Sequence, residues 1–328
     1  MKKFVSFLIV AIVALPTFAS ASEHRTLVVS TWDYDVDALQ EFLFTPFEEK
    51  HNVTIELDLG RDGDRYTKLK NEIDITDVDL FLATQATAQK GINDGLFETM
   101  NKAELKNYNS LFELAKNPNG VNYGPSYTVN RLRVAGKSEN IPTTWAEIFT
   151  DQKSKVAIPH ITSTFGPMVI YGAGDVSGDA SANIAVIEKW VANGNVDAYV
   201  STFSTRKAVI NGEFDYALLA DFGYTPDLNW GDLDKVMLNS NTVNIVKGTK
   251  NSKLAMEFID FLLSVKVQDE SLDRGIDSPV NTKVVFEKGQ EEAKTNLASF
   301  PNAVVTDIDL VNKNKAAWVA KWNELFTE

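Results

Sequence analysis

The densest group of chemically able side chains is Trp32-Asp33-Tyr34-Asp35. An indole face with carboxylates beside it suits an ammonium group. A cation over an aromatic ring gains about 0.5–2 kcal/mol, and a nearby carboxylate offsets the cost of taking the charge out of water. The same residues also fit a packed tryptophan followed by acids at a helix start, where negative charge is favourable. Asp35 and Asp37 suit that second role best. Asp33-x-Asp35-x-Asp37 resembles the opening of a calcium loop, which needs Gly sixth and Glu twelfth. Ala38 and Phe44 stand there, so calcium is rejected.

Three further groups follow apolar runs. Thr84-Gln85 ends one of them. Thr162-Ser163-Thr164-Phe165-Gly166 precedes a helical pattern, where hydroxyls and free N–H groups hold an anion or simply cap the helix. Asp221-Phe222-Gly223-Tyr224 offers a carboxylate and a phenol, or an ordinary strand-end turn. Tyr127 and Asn241 stand where the chain is expected to cross between two units.

Catalytic signatures are missing. There is no cysteine, which excludes thiol nucleophiles, disulfides and zinc-thiolate sites. His24, His51 and His160 have no metal-ligand spacing. No phosphate-binding Gly-x-x-x-x-Gly-Lys loop and no Gly-x-Ser-x-Gly elbow occur. Gly172-x-Gly174-x-x-x-Gly178 has the wrong spacing for a dinucleotide loop and reads as a turn. Many carboxylates are present, but nothing singles out a catalytic pair. The residues point to binding without catalysis, with no cofactor and no metal.

Elements that would position these groups alternate. Leu27-Val28-Val29 reads as a strand, then a helix carries Val36, Leu39, Phe42, Leu43 and Phe47 on one face. Val53 to Leu59 alternates as a strand, Tyr66, Leu69 and Ile73 suit a helix, and Asp79 to Leu82 is a third strand, with Gly91 and Gly95 punctuating the helix after it. This rhythm predicts a parallel sheet covered by helices. A second unit starts near Thr128, with strands at Val156 to Ile158 and Phe214 to Leu219, and helices at Phe165 to Tyr171 and around Ile184 to Val191. Val243 to Val246 is a strand, and Asn251 is placed to cap the helix carrying Leu254, Phe258, Phe261, Leu262 and Val265. Trp318, Trp322 and Phe326 mark a closing amphipathic helix. In open parallel sheets ligands collect beyond the carboxyl ends of strands. Trp32-Asp33, Thr84-Gln85 and Asp221 all fall there.

Lys2 and Lys3, an apolar run over Phe4 to Leu15 and Ala19-Ser20-Ala21 form a cleaved export signal over 1–21. Its loss would take the formal charge from −13 to about −15, since two lysines go with it. So acidic a chain repels nucleic acid, and no later run is long enough to span a bilayer. Without a cysteine to carry a lipid, the expected compartment is the periplasm. With 328 residues, 44% of them hydrophobic, the chain has material for two domains.

A series of ordered segments resembles a known family. These are Thr31-Trp32, Gly95-Leu96-Phe97, Pro142-Thr143-Thr144-Trp145, Lys155 to Pro159, Gly212-Glu213-Phe214-Asp215, Val246 to Asn251 with Phe258-Ile259 and Phe261-Leu262, and Ser278-Pro279-Val280-Asn281. Together they resemble the extracellular solute-binding proteins of family 1, and within them the spermidine/putrescine-binding branch. The resemblance implies an α/β fold: a two-lobed periplasmic-binding-protein clamshell (type II), each lobe a mostly parallel sheet flanked by helices. It implies lobe 1 over 22–127 plus about 241–285. Lobe 2 would take 128–240 plus about 286–328, with the last helix packing near the hinge. It also implies a monomer that captures a small molecule and delivers it to an inner-membrane ABC permease with a cytoplasmic ATPase. A periplasmic sensor could share the same sequence. The branch is similar at Trp32 but departs at Ala86 and Thr87, at Asn239 and Asn241, and at Asp221, where it usually carries aromatic or acidic ligand contacts. A polyamine is the first expectation for the ligand, and an opine, amino acid or aminophosphonate is the alternative. The residues expected to touch it are Trp32, Asp33, Tyr34, Thr84, Gln85, Tyr127, Thr162, Ser163, Thr164, Phe165, Asp221, Tyr224 and Asn241.

Overall fold

The computed structural model describes residues 25–174 and 180–326. The export signal expected over 1–21 and the centre of the glycine loop over 172–178 lie outside them. Strand β1 (Arg25–Thr31) leads into α1, helical over Val36–Leu39, through a π turn at Gln40–Phe44, to Thr45–His51. The extra residue of a π turn rotates the helix face, so Phe42, Leu43 and Phe44 are all buried. Asp35 and Asn52 flank α1 with φ near +50°, a conformation that short polar side chains tolerate best after glycine. Then come β2 (Val53–Leu59), α2 (Asp62–Glu72), β3 (Leu80–Thr84) and α3 (Gln85–Asn93). Both β2 and β3 pair parallel to β1, as the alternating pattern requires.

The long strand β4 (Ser126–Gly136) opens the second unit. It continues through α4 (Trp145–Thr150), β5 (Lys155–Pro159), α5 (Gly166–Gly172), α6 (Ala180–Asn193), β6 (Asn195–Tyr199), α7 (Thr202–Asn211) and β7 (Tyr216–Ala220). After β8 (Asn229–Gly231), strand β9 (Met237–Ile245) returns to the first unit. Helices α8 (Ser252–Leu262) and α9 (Val265–Asp273) follow, then the short β10 (Val304–Val305) and α10 (Ile308–Phe326).

One sheet runs through both units in the order β2-β1-β3-β9-β4-β7-β5-β6. Its flanks are parallel, whereas β3, β9, β4 and β7 pair antiparallel to one another. The paired strands β4 and β9 therefore join two α/β units, each with its own core. Leu27, Val29, Phe47, Phe258 and Leu262 centre the first. Val134, Ile158, Ile170, Trp190, Trp318 and Trp322 centre the second.

Two details depart from expectation. Hydrophobic periodicity marks only Val243 to Val246, yet β9 starts at Met237 and is buried throughout. Its asparagines are tolerated because their side-chain N–H groups donate to neighbouring oxygens. Asn239 Nδ2 donates to Asn241 Oδ1 at 2.8 Å, Asn241 Nδ2 to Asn130 Oδ1 at 3.3 Å, and Asn244 Nδ2 to Thr242 Oγ1 at 2.9 Å. Asn251 stands before α8 but its side chain does not cap it. Its Nδ2 donates to the Thr26 carbonyl and to Asp79, which ties the helix entry to β1.

Candidate ligand cleft

The carboxyl ends of β1 and β3 carry one connected polar band. Asp33 is exposed, and no described side chain pairs with it. The Trp32 and Tyr34 rings lie 6.4 Å apart at 49°. Tyr34 is 41% exposed, but its hydroxyl points inward. Burial of that hydroxyl, then the charges of Asp277 and Asp35, push its pKa up. The face of Trp32 is also used from within: the Arg65 guanidinium stands 5.0 Å from its ring and 4.7 Å from that of Phe81. Arg65 donates to the Gly60 carbonyl, to Ser30 Oγ and to the Leu82 carbonyl at 2.9–3.1 Å, with Asp62 at 3.6 Å. Burial lowers the Arg65 pKa, and Asp62 opposes that. Asp62 in turn accepts from Thr84 Oγ1 at 2.8 Å. Burial raises its pKa, partly offset by hydrogen bonds to Thr87 and Thr84.

Thus Trp32 and Thr84, two separate clusters in the sequence, are joined through Arg65 and Asp62. Sequence reasoning missed both, because a charged run such as Arg61-Asp62-Gly63-Asp64-Arg65 reads as a solvated helix start.

Thr84 caps α3 by accepting from the Thr87 N–H. Gln85 is nearly buried and donates to the Pro118 carbonyl at 2.7 Å. Asn119 Nδ2 donates to the Gln85 carbonyl and to Gln89 Oε1, both at 3.0 Å. Gln85, Gln89 and Asn119 form one wall of a cavity of about 320 Å³, and Thr306, Asp307 and Asp309 at the start of α10 form the other. The cavity therefore lies between the two units.

Across the cleft, Thr162 and Thr164 are exposed and Ser163 is half-buried. Ser163 Oγ accepts from the Gly166 N–H at 3.1 Å, so this hydroxyl holds the turn into α5. Thr162 Oγ1 lies 2.8 Å from His160 Nδ1. Phe165 is buried, but its ring contacts Phe222 at 6.0 Å, and Phe222 contacts Phe203 at 5.6 Å. Phe222 and Phe203 are 38% and 52% exposed. They form an aromatic surface beyond the ends of β6 and β7 that the sequence reading passed over.

Four expected ligand contacts are turned elsewhere. Asp221 has no exposure, so it does not line the cleft. Its Oδ2 accepts from Thr295 Oγ1 at 2.5 Å, and burial raises its pKa against the pull of that bond, Arg131 and Lys294. Tyr127 is also buried and lines a small narrow cavity with Tyr34 and Asp277. The Tyr224 hydroxyl donates to Glu292 at 3.0 Å. Asn241 belongs to the amide chain between β4 and β9. Arg131 and Arg133 are likewise occupied. Both approach Asp232, at 2.8 and 3.0 Å, and both donate to backbone carbonyls of the 291–294 segment.

Comparison with known proteins supplies the remaining observation. Residues 43–299 match a family model described as "Bacterial extracellular solute-binding protein". The chain belongs to this family. It is similar to an ABC transporter protein from Clostridium perfringens, at 30% identity and a TM-score of 0.84, over 92% of this chain and all of that one. The fold also matches a GABA receptor, at 14% identity and TM-score 0.75 over 92% and 99% of the two chains. A third match is the binding protein AgtB of Agrobacterium tumefaciens R10 in complex with agropinic acid, at 17% identity and TM-score 0.67, over 93% and 99%. No curated protein matches the sequence. The two units joined by β4 and β9 are thus the lobes of a periplasmic-binding-protein fold. Among the described residues no helix is long and apolar enough to cross a membrane.

Proposed function

We propose that this solute-binding protein is the soluble capture component of an ABC importer, exported to the periplasm. In this reading it is a binder with no catalytic step, and its cargo is a small amine-bearing solute, first of all a polyamine such as putrescine or spermidine. The observation that carries the charge preference is an imbalance at the cleft. Asp33 and Asp35 are exposed beside Trp32 and Tyr34 without a partner among the described residues, whereas Arg65 faces Asp62, and Arg131 and Arg133 share Asp232, inside the fold. The charge beside Trp32 and Tyr34 is negative, and burying an ammonium requires it. Trp32 and Tyr34 would hold the amine, and Phe203 and Phe222 would cover the methylene chain.

The lobes would then comprise 22–127 with about 241–285, and 128–240 with about 286–328. Closure of the lobes about β4 and β9 excludes water from the cleft and presents the closed monomer to the permease, which an ATPase drives. A second reading rests on the exposed hydroxyls of Thr162 and Thr164 and on the agropinic acid complex of a fold relative. There the cargo carries a carboxylate as well as an amine.

A thermal-melt panel on the ligand-stripped mature chain separates the two. A ligand at about 1,000 times its Kd adds roughly 4 kcal/mol of stability and raises the Tm by several degrees. Putrescine or spermidine alone should do so, and Trp32→Ala should weaken binding about tenfold or more, about 1.4 kcal/mol per decade. A rise only with 4-aminobutanoate or an opine replaces the first reading with the second.

A further inference from the structure

We propose that the narrow space beside Tyr34 seats the head of a primary ammonium, held there by the carboxylate of Asp277. The inference rests on the amine reading above and deepens it. It names the anchoring acid, and it limits the cargo to amines that end in an unsubstituted ammonium. Thr31 and Leu82, near the carboxyl ends of β1 and β3, line this space, which is where open sheets collect ligands. Of the residues that line it, Tyr34 alone is exposed, so the space opens to solvent beside that ring. Phe42, Leu43 and Leu262 make much of the remaining wall apolar.

Within these apolar walls stands an acid without a cation. Asp277 is half-buried, and among the described residues it forms no ion pair. Lys294 pulls on its charge and on that of Asp221, but the lysine Nζ donates to the Ile276 carbonyl at 2.8 Å. Arg65, the cation on the far side of Tyr127, faces Asp62. Thr128 is in reach of the carboxylate, but its Oγ1 donates to the Ser278 carbonyl at 3.0 Å. The hydroxyls of Tyr127 and Ser271 donate to no described group, and that of Tyr34 has Asp277 itself in reach. No amide hydrogen is left over, because Gln268 Nε2 serves the Tyr127 and Leu262 carbonyls. A hydroxyl can turn to accept as well as donate, so the space offers a negative charge ringed by acceptors. A carboxylate among apolar walls calls for a cation or a proton. The space measures about 20 Å³, room for about one water, which an ammonium head matches and a methylated amine exceeds. The chain of the cargo would leave past Tyr34 toward the Trp32 ring, 6.4 Å from that of Tyr34.

Calorimetric titration of the mature chain with putrescine and with 1,4-bis(dimethylamino)butane, which has the same charge and chain, tests this. Wild type should bind putrescine at least tenfold more tightly, whereas aromatic faces alone would accept either cation. Asp277→Asn keeps the shape of the site. It should weaken putrescine at least tenfold and leave the methylated diamine within twofold, which erases the discrimination. Asp277 faces Tyr34, Asp35, Tyr127, Lys294 and Asp221, and with a pKa of about 6 it is largely protonated at pH 5. Putrescine affinity of the wild type should therefore fall about tenfold from pH 8 to pH 5, and that of Asp277→Asn should not follow. Putrescine affinity within twofold of wild type in Asp277→Asn at pH 8, or an equal loss for both diamines, overturns the subsite. If Trp32→Ala still weakens putrescine, the amine reading stands without it. No amine binding by the wild-type chain overturns both.

Discussion

Replacing Asp277 with Asn should stabilise the protein, and only above a defined pH. Asp277 follows α9 and lines a narrow space of about 20 Å³ with Tyr34, Tyr127 and Gln268, room for about one water. Burial pushes its pKa up from 3.8 to about 6, against the pull of Lys294 and a hydrogen bond to Thr128, and Asp35 and Asp221 push the same way. The folded protein thus holds this proton to a higher pH than the unfolded chain does. Its stabilising share is fully present below about pH 4 and is lost as pH rises through about 6. A shift of about 2 units at about 1.36 kcal/mol each sets a ceiling of about 3 kcal/mol at pH 8. The residue is not wholly closed to solvent, so a gain of about 1–3 kcal/mol is expected. Asp277→Asn keeps the shape and cannot ionise. Urea unfolding at pH 4 and pH 8 should show equal stabilities at pH 4 and a more stable variant at pH 8. A variant that is less stable at pH 8, or a difference independent of pH, would refute the buried-carboxylate argument.

Two further substitutions probe the frame of the cleft. Arg65→Met keeps the stem but strips the donors from the Gly60 and Leu82 carbonyls and leaves Asp62 without its cation. Urea unfolding should show a loss of about 3–5 kcal/mol, partly recovered in Arg65→Met/Asp62→Asn, and a loss below about 0.5 kcal/mol would mean that the guanidinium is solvated. Gly166→Ala would set a Cβ 2.2 Å from the His160 carbonyl oxygen and 2.5 Å from Ile161 Cα, both backbone atoms that cannot swing aside. It should cost about 1–3 kcal/mol and disturb the Thr162 to Phe165 turn. Wild-type stability in that variant would show that the turn shifts freely.

The frame was readable because its signals are local. The alternation of strand and helix patterns up to Leu82 needs only sequence neighbours, and the parallel pairing of β1 with β2 and β3 follows from it. What escaped depends on pairing across the chain. β9 looks polar on its own and becomes a central strand because Asn241, which accepts from Asn239, donates to Asn130, more than a hundred residues away. Asp221 falls correctly at a strand end, but nothing nearby in sequence foretells that Thr295 will close over it. Phe203 and Phe222 are ordinary hydrophobic residues until the fold leaves them on the surface.

The same long-range pairing decides what the cleft can recognise. Counting charges along the chain cannot tell an arginine that meets a ligand from one that holds the fold. Arg65, Arg131 and Arg133 all belong to the second kind, since each is buried, donates to backbone carbonyls and faces a carboxylate of the fold. Their positive charge is spent in positioning β4, the 291–295 segment and the end of β1. Asp33 and Asp35 on one lobe, with Asp307 and Asp309 on the other, have no such burial. Charges exposed in a cleft with low-dielectric walls act over a longer range than charges on an open surface. In the proposed reading the selectivity of the cleft follows from the acids left exposed on both lobes, with Arg206 over the Phe203 ring the cation to set against them.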